Sequence, residues 1–363
     1  GASGRNGGQL GIAMRKDQFV IEKRLGFELA KELWNLGLEA VSETTKLISE
    51  YNIQCALQKG VISAGFSKQN RDDFHLEIDH MQKYYNFEGY KFLDKHMIQE
   101  EINTDIYDSG LINNYSYHLN PLKLLLGLAN ELVKLKVKIY ENTPITKILN
   151  DQDGIKIYSA NKIIKAKKVI VGCNGYLDKL LGNIRNKFMP INNYMIATEP
   201  LGESKAREII KNNYAVSDTR FIINYYRFSE DWRMVFGGGE TFTSRFIHNS
   251  KDFVQQRMYR VFPMLKKYKI NYSWGGTLAI TVNRLPIFGT LMDEKIIYAH
   301  AYSGHGLALS ILAGKLISEK ILGNSERFDF IKRIKHLSIP GGDFFRRPIY
   351  SSAIAYYKIR DLI

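Results

Sequence analysis

Cysteine is scarce in this sequence: only Cys55 and Cys173 occur among 363 residues, far apart and in no C-x-x-C pair. A disulfide framework or a structural zinc site needs cysteines at short, paired spacing, so both are excluded and we expect no metal site. No run of about 18 apolar residues is present, so we expect no transmembrane helix, and no signal peptide is visible. These absences favour a protein of the reducing cytoplasm that does not insert into membranes.

A long run of charge of one sign is also missing. Lys and Arg exceed Asp and Glu by 51 to 37, a net charge of +14. The lysines are nevertheless spread along the chain, with only short clusters at 162–168 and 266–269. Binding to nucleic acid or to an anionic membrane is one interpretation of this charge. The spacing favours a generally solvated surface instead, with only weak, non-specific binding to nucleic acid.

The composition is typical of a folded protein. Hydrophobic residues make up 45% and charged residues 24% of the chain, which does not fit a disordered protein. Single cores rarely grow beyond roughly 250–300 residues, so we expect two domains. The chain opens at Gly1 within a glycine-rich loop and has no initiating Met. We therefore expect a fragment that begins inside a domain.

Hydrophobic periodicity predicts parallel α/β segments that alternate with antiparallel ones. The predicted elements are, in chain order, a long helix from about Leu10 to Tyr51, a strand at 55–66, a helix at 70–84, a helix that begins at Pro121 with Asn120 as its cap, a buried parallel strand at 168–173, antiparallel strands from Phe188 to Thr281 interrupted by a helix at 250–262, and a late strand followed by an apolar helix after Gly306. The fold class is thus α/β with mixed α+β character. One predicted domain comprises 1–54, 122–185 and 282–325, a second comprises 55–121 and 186–281, and 326–363 form a tail.

Four glycine-containing motifs follow one another along the chain: Ser3–Gly8 (SGRNGG), Val169–Gly175 (VIVGCNG), Asn283–Gly289 (NRLPIFG) and Tyr302–Gly306 (YSGHG). In the first, free backbone N–H groups at a helix start beside Arg5 would suit a pyrophosphate. In the last, the dipole of the following helix would stabilise negative charge on a docked group. Each motif alone fits an ordinary turn equally well.

Taken in this order, the motifs resemble the D-amino-acid-oxidase family of FAD enzymes, and the resemblance covers essentially the whole chain. Within the family it is strongest to the gamma-glutamylputrescine oxidase subgroup, whose tail the residues from Ile339 also resemble. The resemblance implies a Rossmann-like FAD-binding domain of the glutathione-reductase type, interleaved with an antiparallel-sheet substrate domain. The family's first strand and its G-x-G-x-x-G are absent from the sequence, and we expect them to precede Gly1.

The resemblance also assigns cofactor-binding residues. Those expected near the pyrophosphate and flavin ring are Ser3, Gly4, Arg5, Asn6, Gly7 and Gly8. Those expected beside the adenine and the nucleotide are Ile145, Cys173, Asn174 and Gly175. Those expected along the flavin and its pyrimidine edge are Arg284, Pro286, Gly304, His305 and Gly306. No cysteine lies in 277–289, where some relatives attach their flavin, so FAD is expected to be non-covalent.

The implied reaction is oxidation of an amine or amino acid, with a gamma-glutamylated diamine as the leading substrate. A hydride would pass to the flavin, the imine would hydrolyse, and oxygen is the expected acceptor, giving hydrogen peroxide. His305 is predicted to act at the flavin, while Tyr194 and Trp274 are predicted to form an aromatic cage, as are Tyr225 and Tyr226. Core packing is the alternative for each aromatic. Two further alternatives stay open: a dehydrogenase with another electron acceptor, and a non-catalytic remnant of the fold.

Overall fold

The computed structural model describes residues 1–152, 154–160, 162–241 and 246–338, so the tail motif from Ile339 lies outside the described residues. The helices within them are α1 (Gln18–Leu25), α2 (Phe27–Glu50), α3 (Lys68–Tyr85), α4 (Lys95–Glu101), α5 (Pro121–Lys134), α6 (Gly182–Arg185), α7 (Glu203–Ile209), α8 (Ser250–Val261), α9 (Gly306–Ile321) and α10 (Glu326–Lys332). Within these ranges, no helix combines the length and the apolar character needed to cross a bilayer.

The strands of the same residues are β1 (Gln9–Leu10), β2 (Gln58–Gly65), β3 (Tyr90–Leu93), β4 (Ser109–His118), β5 (Lys147–Asp151), β6 (Gly154–Ser159), β7 (Lys162–Ala166), β8 (Val169–Val171), β9 (Phe188–Thr198), β10 (Ala215–Asp218), β11 (Asn224–Phe228), β12 (Met234–Thr241), β13 (Ile270–Thr281), β14 (Ile287–Leu291) and β15 (Ile296–His300). Helices and strands thus alternate in the mixed α/β manner that the sequence predicts.

The largest sheet runs in the order β1-β4-β2-β10-β11-β12-β9-β13, and β3 also pairs with β4. The pairs β10–β11, β11–β12, β12–β9 and β9–β13 are antiparallel, which confirms the prediction for the region from Phe188 to Thr281. β10 joins β2 in parallel, so the sheet is mixed. Its strands come from widely separated parts of the chain, while the predicted domain bounds stay a prediction.

Two three-stranded sheets complete the architecture: β14-β15-β8 and the antiparallel β5-β6-β7. β8 pairs in parallel with β15, as expected for a strand at 168–173. The expectation that this strand is buried is wrong, because Ile170 is 55% exposed. β8 has one neighbour in its sheet and therefore lies at an edge.

The long helix predicted from Leu10 is wrong at its start. Gln9 and Leu10 instead pair with His118 and Tyr117 as β1, so contacts with a distant strand override the local helical periodicity. α1 begins only after Asp17, whose carboxylate accepts a hydrogen bond from the Val20 N–H. Gly26, at φ 84°, then separates α1 from α2. The chain between β1 and α1 is therefore free to line a cavity.

Other helix predictions are confirmed, since local signals suffice for them. α5 begins at Pro121 with the Asn120 side chain as its cap. α8 closely matches the predicted helix at 250–262. α10 is not among the predicted helices, since the sequence pattern assigns its residues to the tail.

The two faces of the large sheet pack differently. On one face, Tyr226 stacks on Phe236 with 5.4 Å between ring centroids, and α8 covers both. Because successive side chains on a strand point to opposite faces, Tyr225 points to the other side. That side borders the cavity described below. A second core forms where α2 packs against α9 around Leu33 and Leu312.

Candidate active site

One large cavity of about 1370 Å³ lies between the large sheet, α3 and α9. Its walls comprise the glycine-rich loop (residues 3–8), the charged segment (residues 11–17), part of α3, and the turn that begins α9. Pockets that hold a drug-sized ligand measure roughly 300–1,000 Å³. This cavity is therefore large enough for a dinucleotide cofactor with a small substrate beside it.

The glycine-rich loop does not lead into a helix, so the expected anion site at a helix start is not formed there. Ala2–Gly4 make a short 3-10 turn, and the chain then enters β1. The Asn6 side chain holds the loop together, because its Nδ2 donates to the Ala2 and Ser3 carbonyls at 3.2 and 2.8 Å. Its Oδ1 accepts from the Gly8 N–H at 2.9 Å. The loop is thus compact and internally bonded.

Three further hydrogen bonds tie the glycine-rich loop to the large sheet. Arg227 Nε donates to the Gly7 carbonyl at 2.8 Å, and Trp274 Nε1 donates to the Arg5 carbonyl at 3.0 Å. Arg5 Nη1 donates in return to the Gly275 carbonyl at 3.3 Å. Burial lowers the pKa of Arg227 to about 10, so its guanidinium still carries its charge at neutral pH.

Two glycines are required where the loop approaches the sheet. A Cβ on Gly7 would lie 2.5 Å from the ring of Tyr225, whose hydroxyl is bonded to Asn193. Gly8 has φ 77°, and a Cβ there would lie 2.0 Å from the Leu119 carbonyl oxygen. Larger residues would displace the loop from its place against the sheet.

The start of α9 forms the opposite wall. Ser303, Gly304, His305 and Gly306 all line the cavity, and His305 caps the helix without a side-chain bond to it. The first N–H groups of a helix lack partners within it, so this wall presents donors and a positive dipole. Burial and the charge of Arg15 lower the pKa of His305 to about 3, so its imidazole is neutral. Its Nδ1 is buried and has no hydrogen-bond partner within the described ranges.

The predicted turn after β8 also reaches the cavity through Cys173 and Asn174. The Asn174 N–H donates to His300 Nδ1 at 3.2 Å, and Asn174 Oδ1 accepts from the Ala301 N–H at 3.0 Å. His300 is fully buried, and burial lowers its pKa to about 4. The neutral ring therefore accepts the backbone bond at Nδ1. These bonds join the turn to β15.

Charged side chains face the same cavity near His305. Arg15 and Arg284 line it, as does Glu240, whose pKa is raised by burial and pulled the other way by both arginines. Burial and Arg284 lower the pKa of Arg15. Within the described residues, Arg15 has no ion pair or hydrogen bond, and Glu240 acts on it only from beyond ion-pair distance. The site thus contains a charged group that has no partner in the described part of the chain.

The structure brings most of the predicted site residues to this cavity: Ser3, Arg5, Asn6, Gly7, Gly8, Cys173, Asn174, Arg284, Gly304, His305 and Gly306. Other predicted site residues do not line it in the described part of the chain: Gly4, Ile145, Gly175, Pro286, Tyr194 and Trp274. A Cβ on Gly175 would lie 2.8 Å from the Leu278 carbonyl oxygen, because the turn packs on β13 there.

The two predicted cage aromatics Tyr194 and Trp274 serve other contacts. Tyr194 is fully buried on the α8 side of the sheet, and its hydroxyl lies 2.6 Å from Thr241 Oγ1. Trp274 holds the glycine-rich loop through Arg5. Tyr225 is the predicted aromatic that faces the cavity, while Tyr226 lies in the core.

Sequence reasoning missed the charged segment, since helical periodicity assigns its residues to the first turns of a helix. Arg15 of this segment and Glu77 of α3 both line the cavity, and neither is among the predicted site residues. The available signal was the dense run Arg15-Lys16-Asp17, which begins four residues after Gly11 and is more typical of a loop and a helix cap than of a helix interior.

Comparison with known proteins establishes the family. The profile of the family described as FAD dependent oxidoreductase (DAO) matches residues 1–320. The chain belongs to this family of FAD-dependent oxidoreductases. Gamma-glutamylputrescine oxidoreductase of Escherichia coli is 34% identical over 99% of this chain and 84% of its own length. A probable oxidoreductase of Haemophilus influenzae has the same identity and the same coverage.

Solved structures agree on the fold of this DAO-family chain. Glycine oxidase from Geobacillus kaustophilus superimposes with a TM-score of 0.78 over 93% of this chain and 90% of its own. L-proline dehydrogenase from P. horikoshii superimposes with a TM-score of 0.70 over 88% and 86%. Each is 18% identical, so the likeness concerns the fold. The predicted fold class, an FAD-binding Rossmann-like domain interleaved with an antiparallel-sheet domain, is confirmed.

The residues present fit FAD, the family's cofactor, on structural grounds. A pyrophosphate needs backbone and Arg donors at a surface free of side chains. The glycine-rich loop borders the cavity with Arg5, Gly7 and Gly8, so it presents a guanidinium and backbone without side chains there. A flavin edge that carries negative charge needs a helix start, and the Gly304–Gly306 turn supplies one. The buried, unpartnered Nδ1 of His305 lies at this turn.

Proposed function

We propose that this protein oxidises a C–N bond of an amine or amino acid of the gamma-glutamylputrescine kind to an imine. The observation that carries the proposal is one cavity that joins an FAD-compatible loop and helix start to Arg15, a charged side chain without a partner in the described residues. The 34% identity to a gamma-glutamylputrescine oxidoreductase supports the substrate class. Water then hydrolyses the imine to an aldehyde or keto acid.

FAD, when bound, supplies the hydride acceptor, and the protein supplies position and electrostatics. The start of α9 would stabilise negative charge on the group docked against it. His305 assists as a neutral imidazole, because burial and Arg15 depress its pKa far below neutrality. It is therefore a hydrogen-bonding group and not a second positive charge. Tyr194 and Trp274 do not line the cavity. They are proposed to position the residues that do, and not to take part in catalysis directly.

The charged residues of the cavity match the ends of such a substrate. Arg15 and Arg284 offer guanidinium groups to a carboxylate, which Arg binds with two parallel hydrogen bonds. Glu240 offers a carboxylate to the amine nitrogen at the end that is oxidised. A gamma-glutamyl amine carries both kinds of group. Within the described residues Arg15 remains unpaired, which is what a residue reserved for a ligand requires.

Oxygen is the proposed electron acceptor, with hydrogen peroxide as its product, and FAD is proposed to be non-covalent. A dehydrogenase that passes electrons to another acceptor is the second candidate. The observation in its favour is that the L-proline dehydrogenase from P. horikoshii shares this fold. Cys55 and Cys173 are both free thiols, in keeping with a proposed cytoplasmic location.

The test uses the protein as the cell makes it, purified and saturated with FAD. Its visible absorbance is recorded while gamma-glutamylputrescine is added without oxygen, and bleaching of the flavin bands is the expected result. Flavin bands that stay unchanged with this substrate and with glycine would overturn the proposed substrate class. A protein that takes up no FAD would favour the non-catalytic alternative.

The acceptor is tested separately with the same reduced protein. Mixing it with oxygenated buffer is expected to restore the absorbance within the turnover time and to release one peroxide per substrate. Slow reoxidation by oxygen, together with rapid reoxidation by a soluble quinone, would identify the dehydrogenase instead. Heat-denatured protein that releases its flavin into the supernatant would confirm non-covalent binding.

A further inference from the structure

A second polar region lines the cavity away from the start of α9, where Glu77 of α3 faces Tyr90 of β3. Both side chains are half-buried, and the nearby Tyr90 hydroxyl lowers the pKa of Glu77 against the larger effect of burial. Burial raises the pKa of Glu77 to about 7, and the charge of Asp17 adds to this effect. Within the described ranges, no Lys or Arg forms an ion pair with Glu77.

Two buried carboxylates of this protein, Glu101 and Asp218, each accept two hydrogen bonds from one Asn, whereas the described residues give Glu77 none of this kind. Glu101 accepts two hydrogen bonds from Asn212, from the backbone N–H at 2.8 Å and from Nδ2 at 2.6 Å. Asp218 likewise accepts from the backbone and side chain of Asn224 at 2.9 and 2.7 Å. A carboxyl kept for structure normally has such partners, because leaving them out costs stability. Glu77 instead directs an under-satisfied carboxyl at a cavity.

A second, independent group points to a ligand at the same cavity. Trp34 of α2 lines it and is only 3% exposed, yet its indole Nε1 has no hydrogen-bond partner among the described residues. Its ring packs against Phe87, which in turn packs against Tyr90. Trp34, Tyr90 and Glu77 therefore belong to one neighbourhood. That neighbourhood offers a carboxylate for a cation and a buried N–H for an oxygen acceptor.

The charged segment connects this neighbourhood to the reaction end of the cavity. At one end of the segment, a Cβ on Gly11 would lie 3.9 Å from His305. At the other end, Asp17 acts electrostatically on Glu77 and on Tyr90. The residues between these ends all line the cavity. A ligand that touches both His305 and Glu77 would therefore extend along this segment.

We infer that Glu77, with Trp34 in the same neighbourhood of the cavity, binds the remote cationic end of an elongated amine substrate whose other end is oxidised near His305. The inference rests on the proposed function and specifies the substrate class within it. Glu77 accepts from the remote ammonium group, and the Trp34 N–H donates to a neighbouring carbonyl or carboxylate oxygen. Glu77 is thus a specificity-determining residue, remote from the reacting carbon.

The direct test measures binding without turnover. The two probes are gamma-glutamyl-n-butylamide, which has no terminal amine to oxidise, and glutaryl-n-butylamide, which differs from it only by the missing ammonium group. Calorimetry on the FAD-loaded protein without oxygen is expected to show roughly tenfold or greater preference for the first probe, as an ion pair shielded from water would give. In Glu77→Gln the preference disappears, while Asp79→Asn, an exposed acid of the same helix, retains it.

Equal affinity of the wild-type protein for both probes, or binding of neither probe, would overturn the inference. Because no turnover is involved, this outcome is separate from the fate of the proposed reaction. A preference that survives in Glu77→Gln would also overturn it. Unfolding curves of Glu77→Gln and Asp79→Asn accompany the binding data. If Glu77→Gln fails to fold, Tyr90→Phe is measured in its place; it keeps the Glu77 carboxyl and is expected to retain the preference.

Kinetics then separate binding from a general structural effect. Glu77→Gln is expected to raise KM for gamma-glutamylputrescine roughly tenfold or more and to leave kcat within about twofold. For glutarylputrescine, which keeps the amine that is oxidised but lacks the α-ammonium group of the glutamyl end, neither parameter should change. Parallel losses with both substrates would show that Glu77 merely supports the fold.

Discussion

The glycine-rich loop and the charged segment line the same cavity but treat their polar groups in opposite ways. In the glycine-rich loop, the Gly7 carbonyl accepts from the Arg227 guanidinium and the Arg5 carbonyl accepts from Trp274, so both are bonded to the sheet. In the charged segment, Arg15 has no partner within the described residues. The part of a cavity that binds a cofactor is preorganised when its polar groups are already hydrogen-bonded within the protein. The part of a cavity that binds a substrate must keep polar groups available for the substrate, and it does so at a cost in stability.

The largest difference in stability should come from replacing Arg227 and Arg15 with Met, one at a time. Arg227→Met leaves the Gly7 and Phe228 carbonyls without their donor, and should lower the free energy of unfolding by about 2–4 kcal/mol. Arg15→Met removes a desolvated, unpaired charge, and should leave that free energy within about 1 kcal/mol or raise it. Urea denaturation of both variants in one buffer measures the contrast. Similar losses in both would mean that Arg15 has a structural role.

The next largest effect is expected on FAD affinity, when Gly7 of the glycine-rich loop and Gly11 of the charged segment are each replaced by Ala. Gly7→Ala places a Cβ 2.5 Å from the Tyr225 ring, so the loop must move, at a cost of about 1–3 kcal/mol. FAD affinity should fall more than tenfold as the loop moves. Gly11→Ala meets nothing closer than His305 at 3.9 Å and should bind FAD normally. Fluorescence titration with FAD distinguishes them, and unaltered binding by Gly7→Ala would refute the proposed role of the loop.

Acid should lower the free energy of unfolding through protonation of His300. Its pKa in the folded protein is lowered to about 4 by burial, whereas an unfolded His titrates near 6.5. Between these values the unfolded chain binds more protons, so this contribution to stability is present above pH 6.5 and is lost as the pH falls toward 4. From pH 7 to pH 5 the loss should be about 2 kcal/mol.

The variant His300→Gln tests this assignment. Its free energy of unfolding should depend less steeply on pH over the same range, while the other buried histidines keep their own contributions. Denaturation at pH 7, 6 and 5 compares the two proteins. Parallel pH profiles would show that His300 is not neutral in the folded state.

The weakest effect is expected for Trp274→Phe. The variant loses the N–H that donates to the Arg5 carbonyl, a bond worth about 1 kcal/mol, and FAD affinity should fall by roughly fivefold. The kcat with saturating FAD should not change if Trp274 only positions the loop. A fall in kcat at saturating FAD would restore the catalytic role that the sequence predicts for this residue.

Local signals explain which elements of the fold could be predicted from the sequence. The Asn120-Pro121 start of α5 and the apolar run of α9 depend on neighbouring residues alone, and both are found as expected. The four glycine motifs in their order sufficed for the family and its cofactor. Three of them reach the cavity from turns at the ends of β8, β13 and β15, whereas the first precedes β1.

Tertiary contacts account for the elements that local signals miss. The helical periodicity after Leu10 gave way to pairing of β1 with residues 117 and 118, more than a hundred positions along the chain. That pairing exposed residues 11–17 to the cavity and placed Arg15 beside His305. Strand alternation sent Tyr225 to the cavity and Tyr226 to the core, although the two adjacent tyrosines are the same residue type.

The order of amino acids alone specifies the chemistry that the protein can hold: a glycine loop, a late helix start, and no paired cysteines. Folding in three dimensions selects which side chains are satisfied and which remain available. Arg227 and Trp274 are occupied by the loop, whereas Arg15 and Glu77 face the cavity without described partners of opposite charge at bonding distance. The physical reason is that satisfaction of a polar group depends on atoms distant in sequence, which only the folded chain brings within hydrogen-bonding distance.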